Sequence, residues 1–169
     1  MADFDQLASS NPRVKLRFET VDQADTIYDA IQDNFDYLAK WVYWVTENYS
    51  REDNYKAISD NYSLYLKGGS YVVCVYYDGQ FAGCVDARIN DEGNWEVGYW
   101  IIEKFAKLGL ATDCTEILMK YVSEKQNVER FDLFTAVDNV PSNRIALKLG
   151  FNLVGQVRNK RMENHYVKQ

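Results

Sequence analysis

Hydrophobic and polar positions change period several times along this chain, and the changes mark element boundaries. Residues 14–18 alternate Val, Lys, Leu, Arg and Phe, the period-two signature of a strand with one buried face. Ala24, Ile27, Tyr28, Ile31 and Phe35 then recur at helical spacing, with Thr20 or Asp22 placed to cap the helix. An aromatic patch follows at 37–44, holding Leu38, Trp41, Val42 and Trp44. A second helix is expected over 54–66, with Ala57, Ile58, Tyr62, Leu64 and Tyr65 as its apolar positions and Gly68-Gly69 as its stop.

The middle of the chain is β-rich. Residues 71–77 form a nearly continuous β-branched and aromatic run, as in a strand buried on both faces. Asp78-Gly79 is a strong hairpin signal, and residues 81–89 supply the partner strand. A turn at 90–93 leads into a third strand, Trp95–Ile101, completing an antiparallel meander. Beyond it Ala111, Cys114, Ile117, Leu118, Tyr121 and Val122 make the apolar stripe of a helix over 111–125, suited to lie on a sheet. A strand at 131–137, a short helix at 142–149 ended by Gly150, and a strand at 151–158 complete the pattern. The tail after 158 predicts no element. No linker or repeat divides the chain, so 1–169 reads as a single α+β domain with residues 1–12 as a flexible lead-in.

Composition narrows the function. The net charge of −6 argues against a general nucleic-acid binder, which needs a basic face, and suits cationic partners such as an amine. One His and three Cys without metal-ligand spacing give no reason to expect a metal. Cys74, Cys84 and Cys114 read as free thiols in a reducing compartment. The start lacks a basic, apolar leader and no apolar run reaches the roughly 20 residues that span a bilayer, so the expected location is the cytoplasm.

Three segments carry candidate chemistry. Lys107-Leu108-Gly109-Leu110-Ala111-Thr112 is a small-residue turn that opens a helix, and unpaired backbone N–H groups at such a turn attract phosphate. It matches neither a P-loop nor a dinucleotide fingerprint. In the strand before it, Trp95, Val97, Tyr99 and Ile101 share one face and Glu96, Gly98 and Trp100 the other. A partly buried Glu96 on a cleft-lining face is placed to take a proton from an amine. Asn139-Val140-Pro141-Ser142 is a strand-to-helix turn in which Asn139 and Ser142 read either as helix caps or as polar groups facing the same cleft.

In this order the segments resemble the GNAT superfamily of acetyl-CoA-dependent N-acetyltransferases, and more narrowly the branch of ribosomal-protein-serine and ribosomal-protein-alanine N-terminal acetyltransferases. The resemblance runs from about Val14 to the C-terminus. It rests on Leu16-Arg17-Phe18-Glu19, Leu38-Ala39-Lys40-Trp41, Glu96-Val97-Gly98-Tyr99-Trp100-Ile101, the turn, Asn139 to Ser142, and Leu147-Lys148-Leu149-Gly150-Phe151. It implies a mixed, mostly antiparallel sheet flanked by helices, splayed after Tyr99 so that pantetheine enters between two strands. Tyr99, Trp100, Ile101, Ala106, Lys107, Leu108, Gly109, Leu110, Ala111, Thr112, Asn139 and Ser142 would then border acetyl-CoA.

Ala106 stands where the family loop usually has Gln or Arg, which leaves Lys107 to supply charge. Ala146 stands where many members carry a Tyr general acid, and the resemblance gives that role to Ser142. Glu96 would be the base and Asn139 would hold the pantetheine arm. A backbone N–H near Trp100 would steady the oxyanion, and Trp41 and Trp44 with Glu96 would border the acceptor. The implied reaction is direct transfer to a primary amine, foremost a peptide or protein N-terminus. A polyamine or aminoglycoside acceptor and a non-catalytic acyl-CoA-binding module are the alternatives. Family members are often dimers.

Overall fold

The computed structural model describes residues 7–169. The alternating run becomes β1 (Val14–Phe18), whose end residues Val14 and Phe18 are buried. Thr20 and Gln23 form a capping box over a short 3-10 turn, and α1 (Ala24–Asp33) continues from it with Ala24, Ile27 and Ile31 inward. At Asn34 the helical path breaks, the Asn34 side chain donating back to the Ala30 carbonyl at 2.9 Å, and α2 (Phe35–Ala39) starts afresh.

The next helix, α3 (Arg51–Leu66), begins before the apolar pattern does because Ser50 and Asp53 cap each other's backbone N–H groups. Its inward face also differs from the expected stripe. Asn54 and Ile58 are the buried positions, Asn61 and Tyr65 continue that face, and Tyr62 and Leu64 are exposed. Asn54 holds the inner position through polar chemistry: its Nδ2 donates to the Ala24 carbonyl at 2.8 Å and its Oδ1 accepts from the Tyr49 hydroxyl at 3.0 Å.

The meander forms as expected from β2 (Ser70–Tyr77), β3 (Gln80–Ile89) and β4 (Trp95–Ile101), with Asp78 and Gly79 both at positive φ in the hairpin turn. There follow α4 (Leu110–Lys125), β5 (Phe131–Ala136), α5 (Val140–Lys148), β6 (Asn152–Arg158) and β7 (Met162–Lys168). The tail is therefore a full strand, and it lies inside the sheet, whose order is β1-β2-β3-β4-β5-β7-β6. Hydrophobic patterning misses β7 because its buried side chains are partly polar. Asn164 donates to Asn143 Oδ1 at 2.7 Å and accepts from Gln156 at 3.1 Å, and the Tyr166 hydroxyl donates to Asn143 Oδ1 at 2.8 Å. β6, expected as the closing strand, is instead an exposed edge.

Two cores sandwich the sheet. One packs Val73, Val85, Val97 and Leu133 under α4 and α5, and the other packs Cys74, Cys84 and Phe81 under α1 to α3. Part of the expected loose lead-in is fastened, since Leu7 is buried in the first core; residues 1–6 lie outside the described residues. All three cysteines are buried free thiols. Among the described residues no helix is long and apolar enough to cross a membrane.

Every neighbouring pair of strands is antiparallel except β4 and β5. These run parallel and pair only at Trp95 with Phe131 and Glu96 with Asp132. The sheet thus opens after Glu96, earlier than the expected point after Tyr99. Each strand keeps a complete antiparallel partner on its other side, so further β4–β5 pairing is not needed to hold either.

Gly83 lets β3 run close beneath the free half of β4. Its φ is +145°, and a Cβ there would lie 2.1 Å from the Trp100 carbonyl oxygen. Backbone strain and overlap together predict that Gly83→Ala destabilises the fold by about 3 kcal/mol, read as a lower urea midpoint. An unchanged midpoint would show that β3 and β4 separate freely here.

Candidate active site

The opening between β4 and β5 leaves backbone donors without a strand partner. The Ile102 N–H donates to the Ala82 carbonyl at 2.9 Å, so Ile102 faces β3. Backbone direction alternates along a strand. The Trp100 N–H therefore also faces β3, and those of Tyr99 and Ile101 face the opening. The donors near Trp100 that face the opening are thus those of its two neighbours.

At one end of the opening the chain turns into α4. Lys107 (φ 63°) and Gly109 (φ 80°) both adopt the left-handed conformation. Gly109 is the N-cap residue and makes no side-chain cap bond, so the first-turn N–H groups of α4 remain available to an anion. Lys107 is exposed and is the only cation of residues 106–112, and Leu110 is buried and anchors the turn. Ala106 is extended and spent only on a bond from its N–H to the Glu103 carbonyl, at 3.0 Å. A loop built from backbone donors does not need a long side chain at that position, so the residues present fit a pyrophosphate.

On the sheet face shared with α1 to α3, the half beyond those helices is polar. Glu96 has Arg88 as its cross-strand partner on β3 and Asp132 on β5. Burial, then the negative charge of Asp86, pushes the Glu96 carboxyl above its ordinary value, and Arg88 partly opposes them. Gly98 leaves a pit beside Glu96. Trp100 closes the far side, packed edge-on against Trp44 with ring centroids 6.2 Å apart. Trp41 sits at the lip: its carbonyl and that of Lys40 accept from the Arg161 guanidinium in the β6–β7 turn.

Tyr99 points to the other face and reaches across the opening to α5. Its hydroxyl lies 2.9 Å from Ser142 Oγ and donates to the Ser142 carbonyl at 3.1 Å. Burial raises the Tyr99 phenol to about 12, so it stays protonated at any working pH. The two readings of the Asn139–Ser142 turn separate here. Asn139 is the cap, its Oδ1 accepting from the Ser142 N–H at 3.3 Å, whereas the Ser142 hydroxyl is turned to Tyr99. Ala146 is fully buried.

The fold thus brings Glu96, Tyr99, Trp100, Ile101, Asn139 and Ser142 around one opening, places residues 106–112 at its end, and seats Trp44 through Trp100. Trp41 remains at the rim. Asp86, Arg88, Asp132, His165 and Arg161 escaped the sequence reading. For Asp86 and Arg88 a signal was present: Asp-Ala-Arg puts charges on one face of a strand that is otherwise apolar at 81–87. His165 meets Asp132, and Arg161 meets the Lys40 and Trp41 carbonyls, only through the placement of β7 and its turn.

Residues 13–152 match the family model described as Acetyltransferase (GNAT) domain. The chain is 28% identical over 152 residues to the putative ribosomal N-acetyltransferase YdaF of Bacillus subtilis (strain 168), covering 88% of this chain and 82% of that protein. It is 26% identical over 131 residues to the ribosomal-protein-serine acetyltransferase of Escherichia coli (strain K12), covering 76% and 73%. In fold it is similar to RimL, a ribosomal alpha-N-protein acetyltransferase solved in complex with Coenzyme A. The TM-score is 0.86 at 21% identity, over 95% of this chain and 96% of that one.

A carboxyl raised by burial is a stability cost when ionised. Between its ordinary value of 4.5 and its raised value, folded Glu96 keeps a proton that the unfolded chain releases, so stability falls as pH rises through that window. Glu96→Gln is therefore expected to melt at higher temperature than the wild type at pH 8, with the difference closing below pH 4.5. A lower melting temperature at pH 8 would mean that ionised Glu96 is held by favourable partners.

Proposed function

The chain belongs to the GNAT acetyltransferase family, and on that premise we propose that it moves the acetyl group of acetyl-CoA to the α-amino group of a peptide or protein N-terminus of ribosomal-protein type. The observation that carries this reading is the β4–β5 opening. It is the one place where Glu96 on one sheet face and the Tyr99–Ser142 pair on the other border a common gap. The names of the two bacterial relatives and the Coenzyme A held by the similar solved structure support the acceptor and the donor. An acceptor of this kind places the reaction in the cytoplasm.

The co-substrate supplies an activated acetyl thioester. Uncapped N–H groups at residues 109–112, with Lys107 beside them, hold its pyrophosphate, and Asn139, whose Nδ2 is not used by the cap, borders the pantetheine arm. The acceptor enters from the face of Trp44 and Trp100. Glu96 takes a proton from its ammonium group, a task suited to a carboxylate whose proton affinity burial has raised toward neutrality. The freed amine attacks the thioester carbonyl, whose oxygen gains negative charge and is met by the N–H groups of Tyr99 and Ile101. Collapse breaks the C–S bond: the sulfur leaves as a thiolate that accepts a hydrogen bond from Ser142, oriented by Tyr99, and takes up the surplus proton still carried by the new amide nitrogen. Transfer is direct: Cys74 and Cys84 are sealed in the core, and burial raises the thiols of Cys84 and of Cys114, the latter to about 12.

Titration calorimetry with acetyl-CoA is expected to show micromolar binding that Gly109→Trp abolishes. On peptides with a free N-terminal Ser or Ala, Glu96→Gln is expected to lower kcat about 10²- to 10⁴-fold with acetyl-CoA affinity kept. Ser142→Ala lowers kcat as well, without loss of the α5 cap. Absence of acetyl-CoA binding would overturn the reading, and acetylation of spermidine in preference to the peptides would replace its acceptor.

A further inference from the structure

The polar half of the acceptor face contains a second carboxylate that the reaction above leaves unused. Asp86 lies on β3 directly across from Gly98. One of its oxygens, Oδ2, is taken by the Arg88 guanidinium, at 2.8 Å from Nε and 2.7 Å from Nη2. The other, Oδ1, has no hydrogen-bond partner among the described residues and leans over the strand into the space a side chain at 98 would fill. A Cβ on Gly98 would lie 2.7 Å from it. The Asp86 side chain is 19% exposed, so the carboxylate is sheltered without being sealed.

Glu96 stands two residues before Gly98 on the same face, and Trp100 two residues after it. Asp86 and Glu96 set two carboxylates against the single guanidinium of Arg88, a balance that favours a cation. The glycine is what permits this arrangement, because any larger residue at 98 would displace the carboxylate.

We propose that Asp86 is a binding group for the acceptor: its free Oδ1 and the Glu96 carboxylate together take a primary ammonium above Gly98, with Arg88 fixing Asp86 in place. This rests on the reading of Glu96 as the base and adds the recognition step that precedes it. A primary ammonium offers three donors, enough to satisfy Asp86 and Glu96 together. An N-acetylated product has lost the charge and two of those donors and is released. Asp86 is thus a selector for an unmodified primary amine, whereas Glu96 is the group that removes its proton.

The pH dependence follows from the charges around the pair. Glu96 is faced by Asp86 and Arg88 from β3, Asp132 from β5 and Glu163 from β7, and Asp86 by Arg88, by Glu19 beyond the end of β1, and by Glu96. Removing the charge of Asp86 leaves Arg88 uncompensated beside Glu96. Both changes favour ionised Glu96, so the acid limb of activity moves to lower pH.

The test compares Asp86→Asn, Gly98→Ala and Glu96→Gln on an N-terminal-serine peptide with acetyl-CoA. Asp86→Asn is expected to raise the peptide KM about tenfold or more, with kcat within about threefold of wild type. The acid limb of its kcat/KM profile lies at lower pH, and acetyl-CoA affinity is unchanged. Gly98→Ala, which pushes Oδ1 aside and keeps the charge, is expected to raise KM without the same shift of the limb, and it decides the matter if Asp86→Asn fails to fold. Wild-type KM and an unmoved acid limb in Asp86→Asn, with Glu96→Gln inactive, would overturn this proposal and leave the base assignment standing. Full activity in Glu96→Gln would remove both. If the wild type turns over no peptide, calorimetry on its CoA complex decides. Preference for the free-amine peptide over its N-acetylated form, lost in Asp86→Asn, supports the proposal, and no preference overturns it.

Discussion

The structure depends on a single constraint, the brevity of the pairing between β4 and β5. Two residues on each strand make the parallel contact, at Trp95 with Phe131 and Glu96 with Asp132, and then the strands part. An open seam inside a sheet is normally a liability, because it strands backbone donors and acceptors. Here each strand is secured on its outer side by a full antiparallel neighbour, β3 for one and β7 for the other. The seam can therefore remain open without unravelling the sheet. Its unpaired N–H groups become available to a ligand, and side chains from opposite faces come to border one gap.

The root of the seam is held by a buried charge. Asp132 is 1% exposed, and a carboxylate so placed is tolerable only when its oxygens are fully engaged. It receives Asn90 Nδ2 at 3.2 Å from the β3–β4 turn, Arg130 Nη2 at 3.2 Å from the start of its own strand, and His165 Nε2 at 2.9 Å from β7. The His165 ring in turn stacks on Phe134 at 4.5 Å between centroids. Three parts of the chain thus converge on the residue after which β4 and β5 separate, which fixes where the gap begins.

The two faces of the sheet divide the chemistry. Under α4 and α5 the face is apolar apart from two uncharged clusters, Tyr99 with Ser142 and Asn143 with Asn164 and Tyr166, so the Tyr99–Ser142 side of the opening offers neutral hydroxyl groups. On the other face the helices α1 to α3 cover β1, β2 and the first part of β3, and the sheet beyond carries Asp86, Arg88 and Glu96. That division suits a neutral acyl group arriving from one side and a cationic amine from the other. The same desolvation that raises the Glu96 carboxyl suits it to the proposed role of base and makes it a burden on stability when ionised.

Much of this was legible in the residues alone. Alternation gave β1, a continuous β-branched and aromatic run the first strand of the meander, Asp78-Gly79 its hairpin, and the stripe from Ala111 to Val122 the helix that covers one face. Glu96, Gly109, Asn139 and Ser142 were found because each sits at a local feature, a strand face or a helix start, that short-range rules describe. The inward face of α3, the strand β7, the point of divergence and the partners of Asp86 and Asp132 were not legible. Asn54 and Asn164 are buried and His165 half-buried by partners 30, 21 and 33 residues away in sequence, and polar burial has no period to read. Local pattern fixes which segments become strands and helices, because backbone geometry repeats every two or 3.6 residues. Which carboxylate is paired, which is left free, and where two strands part is decided only when distant segments meet, because desolvation and hydrogen bonding act through space.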